Sequence, residues 1–421
     1  MNRFRAWISS LKNVSMAEID YWWTGYVVAI PGIAGSWLSF MFFGAGIWAV
    51  TCIAFRRFPI DIPSRAFWFV FSCLGYALAM LASSVINDGT AGIGPGLAAG
   101  AAFYFVPFII SRYRFSDPGQ AVELMVGYAP LGAVLCLVSA LYQAVVIGSM
   151  IEGGTGNASV FGFVAALLGA LSLANGHSQS AYKRALAIVG FLAGMATLIM
   201  SNTRALFPVI LLVPLTFVLL TSRMPVRNSR TLLLSFIAAA GIATILFGPR
   251  LASNIARIID EFANVRDDAI VTSLEIRVEL WKAAVVSIED AFWLGFGQVH
   301  KMDEVFDKLP EMISYVRFSH VHNAWIDSLL SGGIIGFIFF NAIFLSIFRI
   351  SYYLNKNDVD LRKKYIIISV VFISILNSLF NTMFTHDILV CIFLIPILLI
   401  LATETRSKHE GHASSLIEIL N

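Results

Sequence analysis

The sequence predicts an all-α polytopic membrane protein of about twelve transmembrane helices, with one large outer helical loop between the ninth and tenth. Three observations carry this. Of 421 residues, 58% are hydrophobic and 13% are charged, roughly half the ~25% charge of soluble domains, and the mean hydropathy is +0.79. Apolar runs of roughly 16–25 residues recur along the chain, the length that crosses a bilayer as a helix. The basic residues collect in alternate loops.

The spans are expected near 22–34, 36–54, 66–86, 96–111, 121–147, 157–175, 184–200, 205–221, 231–248, 323–348, 365–383 and 386–402. Pro31, Gly32 and Gly35 interrupt the first apolar run, which reads as a tight hairpin. A single broken helix there would make eleven spans and put the termini on opposite sides. The chain then divides into spans one to nine (1–248), a periplasmic loop (249–322), spans ten to twelve (323–403) and a cytoplasmic tail (404–421).

Charge sets the expected orientation. Loops holding Arg3, Arg5, Lys12, Arg56, Arg57, Arg65, Arg112, Arg114, Lys183, Arg184, Arg223, Arg227, Arg230, Arg349, Lys356, Arg362, Lys363, Lys364, Arg406 and Lys408 take 20 of the 29 basic residues. The opposite short loops contain only Arg204. Positive loops stay inside, so both termini are expected in the cytoplasm and the long loop outside. The first apolar segment has no clear small-residue cleavage site and is expected to be retained. No internal repeat of the inverted-transporter kind is visible. A net charge of +3 gives no case for nucleic acid. Cys52, Cys73, Cys136 and Cys391 all fall in apolar runs without metal-ligand spacing and read as buried small hydrophobes.

The long loop has soluble-protein character. Thr272-Ser273-Leu274-Glu275 fits a capping box. Leu274, Val278, Trp281, Val285 and Ile288 recur at helical spacing, with Arg277 one turn before Trp281 at the border of that stripe. Gly295 and Gly297 end the helix. Asp303, Glu304, Asp307 and Glu311 suggest a second, acidic helix over the membrane surface. Asn323 is a suitable N-cap for the tenth span, and Gly332 with Gly336 allows close helix approach.

Three groups could carry chemistry. Arg204, in Asn202-Thr203-Arg204-Ala205, lies between two apolar spans. Placing an arginine at membrane depth costs about 2.5–3.5 kcal/mol. It is either an internally paired or snorkelling side chain or a phosphate anchor, which its fork of donors suits. His320 and His322 sit where the loop enters the tenth span, and an imidazole accepts protons near neutrality. A His-x-His could also be half of a metal site, but no further ligand set accompanies it, so no metal is expected. Asp387 lies between the last two spans and could orient a histidine, pair an arginine or cap a helix. Asn357-Asp358-Val359-Asp360 falls in a basic loop away from these groups. No Walker loop, dinucleotide fingerprint, HExxH or nucleophile elbow occurs, so no cofactor is expected.

Three blocks resemble the bacterial O-antigen ligases of the O-antigen ligase/polymerase superfamily: Asn202-Thr203-Arg204-Ala205; the loop helix from Thr272 through Arg277 and Trp281 to Gly295-Phe296-Gly297; and His322-Asn323 followed after nine residues by Gly333-x-x-Gly336. The layout of spans and loop is similar too. The resemblance implies glycosyl transfer at the periplasmic face of the bacterial inner membrane, from an undecaprenyl-diphosphate-linked O-antigen to a sugar hydroxyl of lipid A core. It implies Arg204 and Arg277 at the diphosphate, His322 as the base, and His320, Asn323 and Asp387 in support. His320 supplies a second possible base. A polymerase of the same superfamily is the nearest alternative. A lipid-oligosaccharide flippase is an alternative of another class, and would be expected to line a central path with charges that the span interiors here nearly lack.

Overall fold

The computed structural model describes residues 16–148, 150–221, 273–310, 317–354 and 358–404, with a few positions between 248 and 259. Among the described residues every regular element is helical. The helices are α1 (Met16–Ala29), α2 (Gly35–Ala54), α3 (Phe67–Asp88), α4 (Ile93–Tyr104), α5 (Val106–Arg114), α6 (Pro118–Tyr142), α7 (Ala158–Leu173), α8 (Ala181–Met200), α9 (Val209–Thr221), α10 (Ser273–Asp290), α11 (Lys301–Phe306), α12 (Ala324–Tyr353), α13 (Asp358–Phe380) and α14 (Asp387–Ala402).

Two helices form the centre. α7 is buried from Val160 to Leu173 and α14 from Ile388 to Ala402. A helix apolar on all sides has no face suited to water and belongs inside a bundle. α7 packs on α6, α8 and α13, and α14 on α2, α5, α6 and α13. Phe384, Phe393, Phe340 and Phe344 interlock with Tyr76 and Phe103 between α3, α4, α12 and α14. The four cysteines are free and buried, as their apolar neighbours imply.

Among the described residues seven helical segments are long and apolar enough to cross a membrane, alongside the shorter apolar helices Arg204–Leu220 and Asp387–Ala402. Each expected span within the described residues overlaps a helix. The ninth, at 231–248, lies almost wholly outside them, as do Thr272, Glu311 and the tail after Glu404. The lower figure has a physical origin. Ser64–Arg114 counts once, yet the chain reverses inside it at Gly89, where φ is +57°. The Tyr104 hydroxyl then donates back to the Ala77 carbonyl at 3.1 Å. α4 and α5 are short because Phe105 and Pro107 separate them. The break expected at Pro31 and Gly32 is present between α1 and α2.

The bundle has two chemically distinct ends. At one, the basic end, Arg112 closes on Asp20 at 2.6 Å and Arg114 on Asp61 at 3.0 Å. There Arg362 pairs with Glu123, and Lys363 donates to the Thr403 hydroxyl at 2.7 Å. At the other end lie the expected site residues.

Candidate active site

α10 is the first element of the site. Its packed face is Leu280, Ala283, Ala284 and Ser287, with Ile276, Trp281 and Ile288 beside it. This corrects the expected stripe, because Val285 is 53% exposed. Hydropathy favours valine over alanine and serine, whereas small side chains let α10 approach α11 and α12 closely. Trp281 keeps its expected inward position: its indole N–H donates to the Val321 carbonyl at 2.8 Å. Val321 is the residue between the two histidines. Arg277, one turn earlier on α10, is half-buried, and its charge acts on both imidazoles.

The histidine segment is held from both sides. Val321 is fully buried. Asn323 caps α12, its side-chain oxygen accepting from the Trp325 and Ile326 amides at 3.0 and 3.1 Å. Its amide nitrogen donates to the Leu379 carbonyl at 3.2 Å. Between these anchors His322 has φ +54°, a left-handed conformation unusual for a non-glycine residue and common at functional sites. The two imidazoles lie 4.2 Å apart between ring centroids, and Phe318 packs edge-on to His322 at 4.9 Å.

Both imidazoles have a lowered pKa. Burial, then the charges of His320 and Arg277, lowers His322 to about 3. Burial also lowers His320, against the carboxylate of Asp327 and with help from Lys301, His386 and Arg277. The Ser319 hydroxyl meets His320 Nδ1 at 3.0 Å, while His320 Nε2 is buried without a hydrogen-bond partner. His386 joins this group from α14. Burial lowers its pKa although Asp387 opposes this, with Nδ1 3.4 Å from the Asp387 carboxylate. Asp387 therefore stands in the first turn of α14 beside a histidine, and the N-cap position is His386.

Arg204 reaches the same end through a chain of contacts. It begins a short turn, Arg204–Leu206, packed on α13 and α7. Asn202, two residues before it, also has a left-handed φ of +57°. The Thr203 hydroxyl donates to the Ala158 carbonyl at 3.0 Å. The next residue, Ser159, accepts from the Asn381 amide at 2.9 Å. Asn381 lies two residues from Leu379, which accepts from Asn323. Arg204, the α13–α14 connection and His322 are thus tied to one end of the bundle.

The glycines of the third block do two jobs. Gly332 and Gly336 take the close approach of α3, where a Cβ would lie 2.1 and 2.6 Å from Met80 Cε. Gly333 instead breaks α12, with φ +60° and ψ −162°. The Leu330 carbonyl and Ile334 amide, which a continuous helix would join, find loop partners. Phe296 N–H donates to Leu330 O at 2.7 Å, and Ile334 N–H donates to Phe292 O at 2.8 Å. Broken backbone inside a bundle requires such replacement bonds. A Cβ at Gly333 would meet the Trp293 carbonyl at 2.4 Å, which explains the glycine.

One ion pair was not anticipated. Lys301 Nζ lies 3.0 and 2.9 Å from the two Asp327 oxygens and 3.1 Å from Ser331 Oγ, with both side chains at most 5% exposed. All three ammonium donors are used. The clue in the sequence was Asp327, an acidic residue within the apolar run 323–348, which needs a buried partner. Beside this pair, His300 Nε2 is 3.2 Å from the buried Asp88 carboxylate of α3. Among the described residues no group of three or more His, Cys, Asp or Glu side chains could hold a metal ion.

No curated protein matches the chain. Residues 164–341 match the family model described as O-Antigen ligase, an interval that holds Arg204, Arg277, His320, His322 and the glycines of α12. Over those residues the chain is similar to the O-antigen ligase superfamily.

Proposed function

We propose that the protein is a glycosyltransferase that joins an undecaprenyl-diphosphate-linked O-antigen to a sugar hydroxyl of lipid A core at the periplasmic face of the inner membrane. The observation that supports this best is the grouping of neutral imidazoles with the Arg277 charge at the end that also carries Arg204. A diphosphate leaving group needs its growing negative charge neutralised more than it needs a proton. Guanidinium forks suit that task. The acceptor hydroxyl is a weak nucleophile and needs a base.

In the proposed step His322 takes the acceptor proton as the hydroxyl oxygen bonds to the anomeric carbon. The carbon–oxygen bond to the diphosphate breaks with its electron pair, and Arg204 and Arg277 hold the departing prenyl diphosphate as it gains one further negative charge. Single displacement inverts the anomeric centre. His320, Asn323 and Asp387 position these groups. The donor has a part in activating the base. Arg277 is one of the charges that depress His322. A bound diphosphate offsets that charge and raises the imidazole toward a useful pKa.

The test is reconstitution of the purified protein in liposomes with lipid-linked glycan, offering lipid A core and lipid-linked repeat units as competing acceptors. The reading expects glycan on lipid A core. Chain extension on the lipid-linked acceptor alone would identify a polymerase. Translocation of donor without new glycosidic bonds would identify a flippase and end the proposal.

A further inference from the structure

The basic end contains a cavity that the proposed reaction does not use. It lies between the turn Ser64–Ala66 before α3 and the last turns of α12. Its volume is about 240 Å³ and its lining is Ser64, Arg65, Arg349, Ile350 and Tyr353. Two arginines line one small space, and among the described residues no carboxylate lines it. Like charges gathered this way call for an anion.

Three other arginines at this end already have one. Arg112, Arg114 and Arg362 each close on a carboxylate. Arg65 is only partly balanced: it lies over the Tyr353 ring at 5.4 Å and 3.6 Å from Glu404. Burial raises the pKa of that carboxyl, opposed by the charges of Arg65, Arg114 and Lys363. Arg349 makes no hydrogen bond or ion pair with another described residue and is exposed. It stands four residues before Tyr353, on the same face of α12. A single cation near a helix C-terminus can be explained by the helix dipole. That does not explain a second guanidinium brought to the same cavity from another helix, over the buried floor of Ile350.

The surroundings indicate depth. Phe67, Trp68 and Tyr352 beside the cavity are 54%, 50% and 76% exposed. Aromatic side chains of this kind gather where a spanning protein meets the lipid headgroups. A space this small is below the roughly 300–1,000 Å³ of sites that enclose a whole small molecule, and fits a phosphate group.

We propose that this cavity binds the headgroup phosphate of an anionic phospholipid, with Arg65 and Arg349 as the two forks and the Ser64 hydroxyl as an added donor. Basic pockets between transmembrane helices are suited to such headgroups. The inference rests on the membrane-spanning reading of the bundle and not on the glycosyl-transfer reaction.

The test uses full-length protein in detergent, stripped of lipid and then given phosphatidylglycerol, phosphatidylcholine or inorganic phosphate. Lipid retention is read by native mass spectrometry and stability by thermal unfolding. The parent is expected to retain phosphatidylglycerol over phosphatidylcholine and to unfold at a higher temperature with it. Arg349→Gln, which removes no bond to a described residue, should unfold like the parent without lipid yet retain phosphatidylglycerol roughly fivefold less well. Arg349→Lys should recover part of the loss. Equal retention by Arg349→Gln and the parent would overturn the proposal. So would stabilisation by inorganic phosphate alone equal to that from phosphatidylglycerol, because the ligand would then be a free anion.

Discussion

The two ends of the bundle use charge in opposite ways. At the basic end, cations meet carboxylates directly: Arg112 with Asp20, Arg114 with Asp61 and Arg362 with Glu123. These pairs close the helix ends. At the histidine end, half-buried imidazoles are crowded together and burial lowers their pKa values. There the buried pair of Lys301 with Asp327 locks the loop to α12. Both ends keep buried polar atoms without hydrogen-bond partners, Asp20 Oδ2 and Arg362 Nε at the basic end and His320 Nε2 at the other, so the difference lies in the ion pairs.

This contrast can be broken most severely at His322. Its replacement by alanine should cut glycan transfer by about 10²–10⁴-fold while the protein still inserts and accumulates. Retained transfer would remove His322 as the base. Next is Lys301→Met, which leaves the Asp327 carboxylate buried and unpaired. That should cost about 3–5 kcal/mol of stability, read as a lowered unfolding temperature. A Lys301→Met/Asp327→Leu double variant should recover most of this stability. Failure to recover would show that the pair does more than balance charge.

Gly333→Ala sets a Cβ against the Trp293 carbonyl at a left-handed position, so a loss of at least about 1–3 kcal/mol is expected. The loop bonds at Phe296 and Ile334 should then exchange their amide hydrogens faster.

The pH response is smaller but has a definite sign. His322 has its folded pKa below its unfolded value, so the unfolded chain binds the extra proton first. Its contribution to stability is complete above about pH 6.5 and declines as pH falls toward about 3. In transfer assays the acid limb measured with saturating donor should lie at higher pH than the limb in kcat/KM, because donor binding raises the imidazole pKa. Coincident limbs would disconnect Arg277 from the base. The smallest effect belongs to the basic end: Arg362→Ala, which removes a partly exposed pair, should cost no more than about 1 kcal/mol.

Much of this was legible in the sequence. Helix positions followed from hydropathy, Asn323 was recognisable as a cap, Arg204 and His322 stood out as polar groups beside apolar spans, and Arg277 stood out at the border of the apolar stripe on the loop helix. What stayed hidden depends on tertiary partners. Lys301 sits in a polar loop and looks solvated until α11 folds against α12. Gly333 resembles a packing glycine until the loop supplies the hydrogen bonds that allow a break. His386 drew less notice than Asp387 because its nearness to His320 comes from α14 meeting the loop. The stripe on α10 was misplaced because hydropathy weighs side-chain size, whereas close packing against α11 and α12 favoured alanine and serine.

The central claim is a division of labour at one end of the bundle, with guanidinium groups holding the donor and an imidazole performing the proton transfer. Equilibrium binding of the lipid-linked donor to the parent, Arg204→Lys, Arg277→Lys and His322→Ala tests it directly. The account predicts binding weakened about tenfold or more in both lysine variants, ~1.4 kcal/mol each, and near-parental binding without transfer in His322→Ala. Parental affinity in the two lysine variants would contradict it.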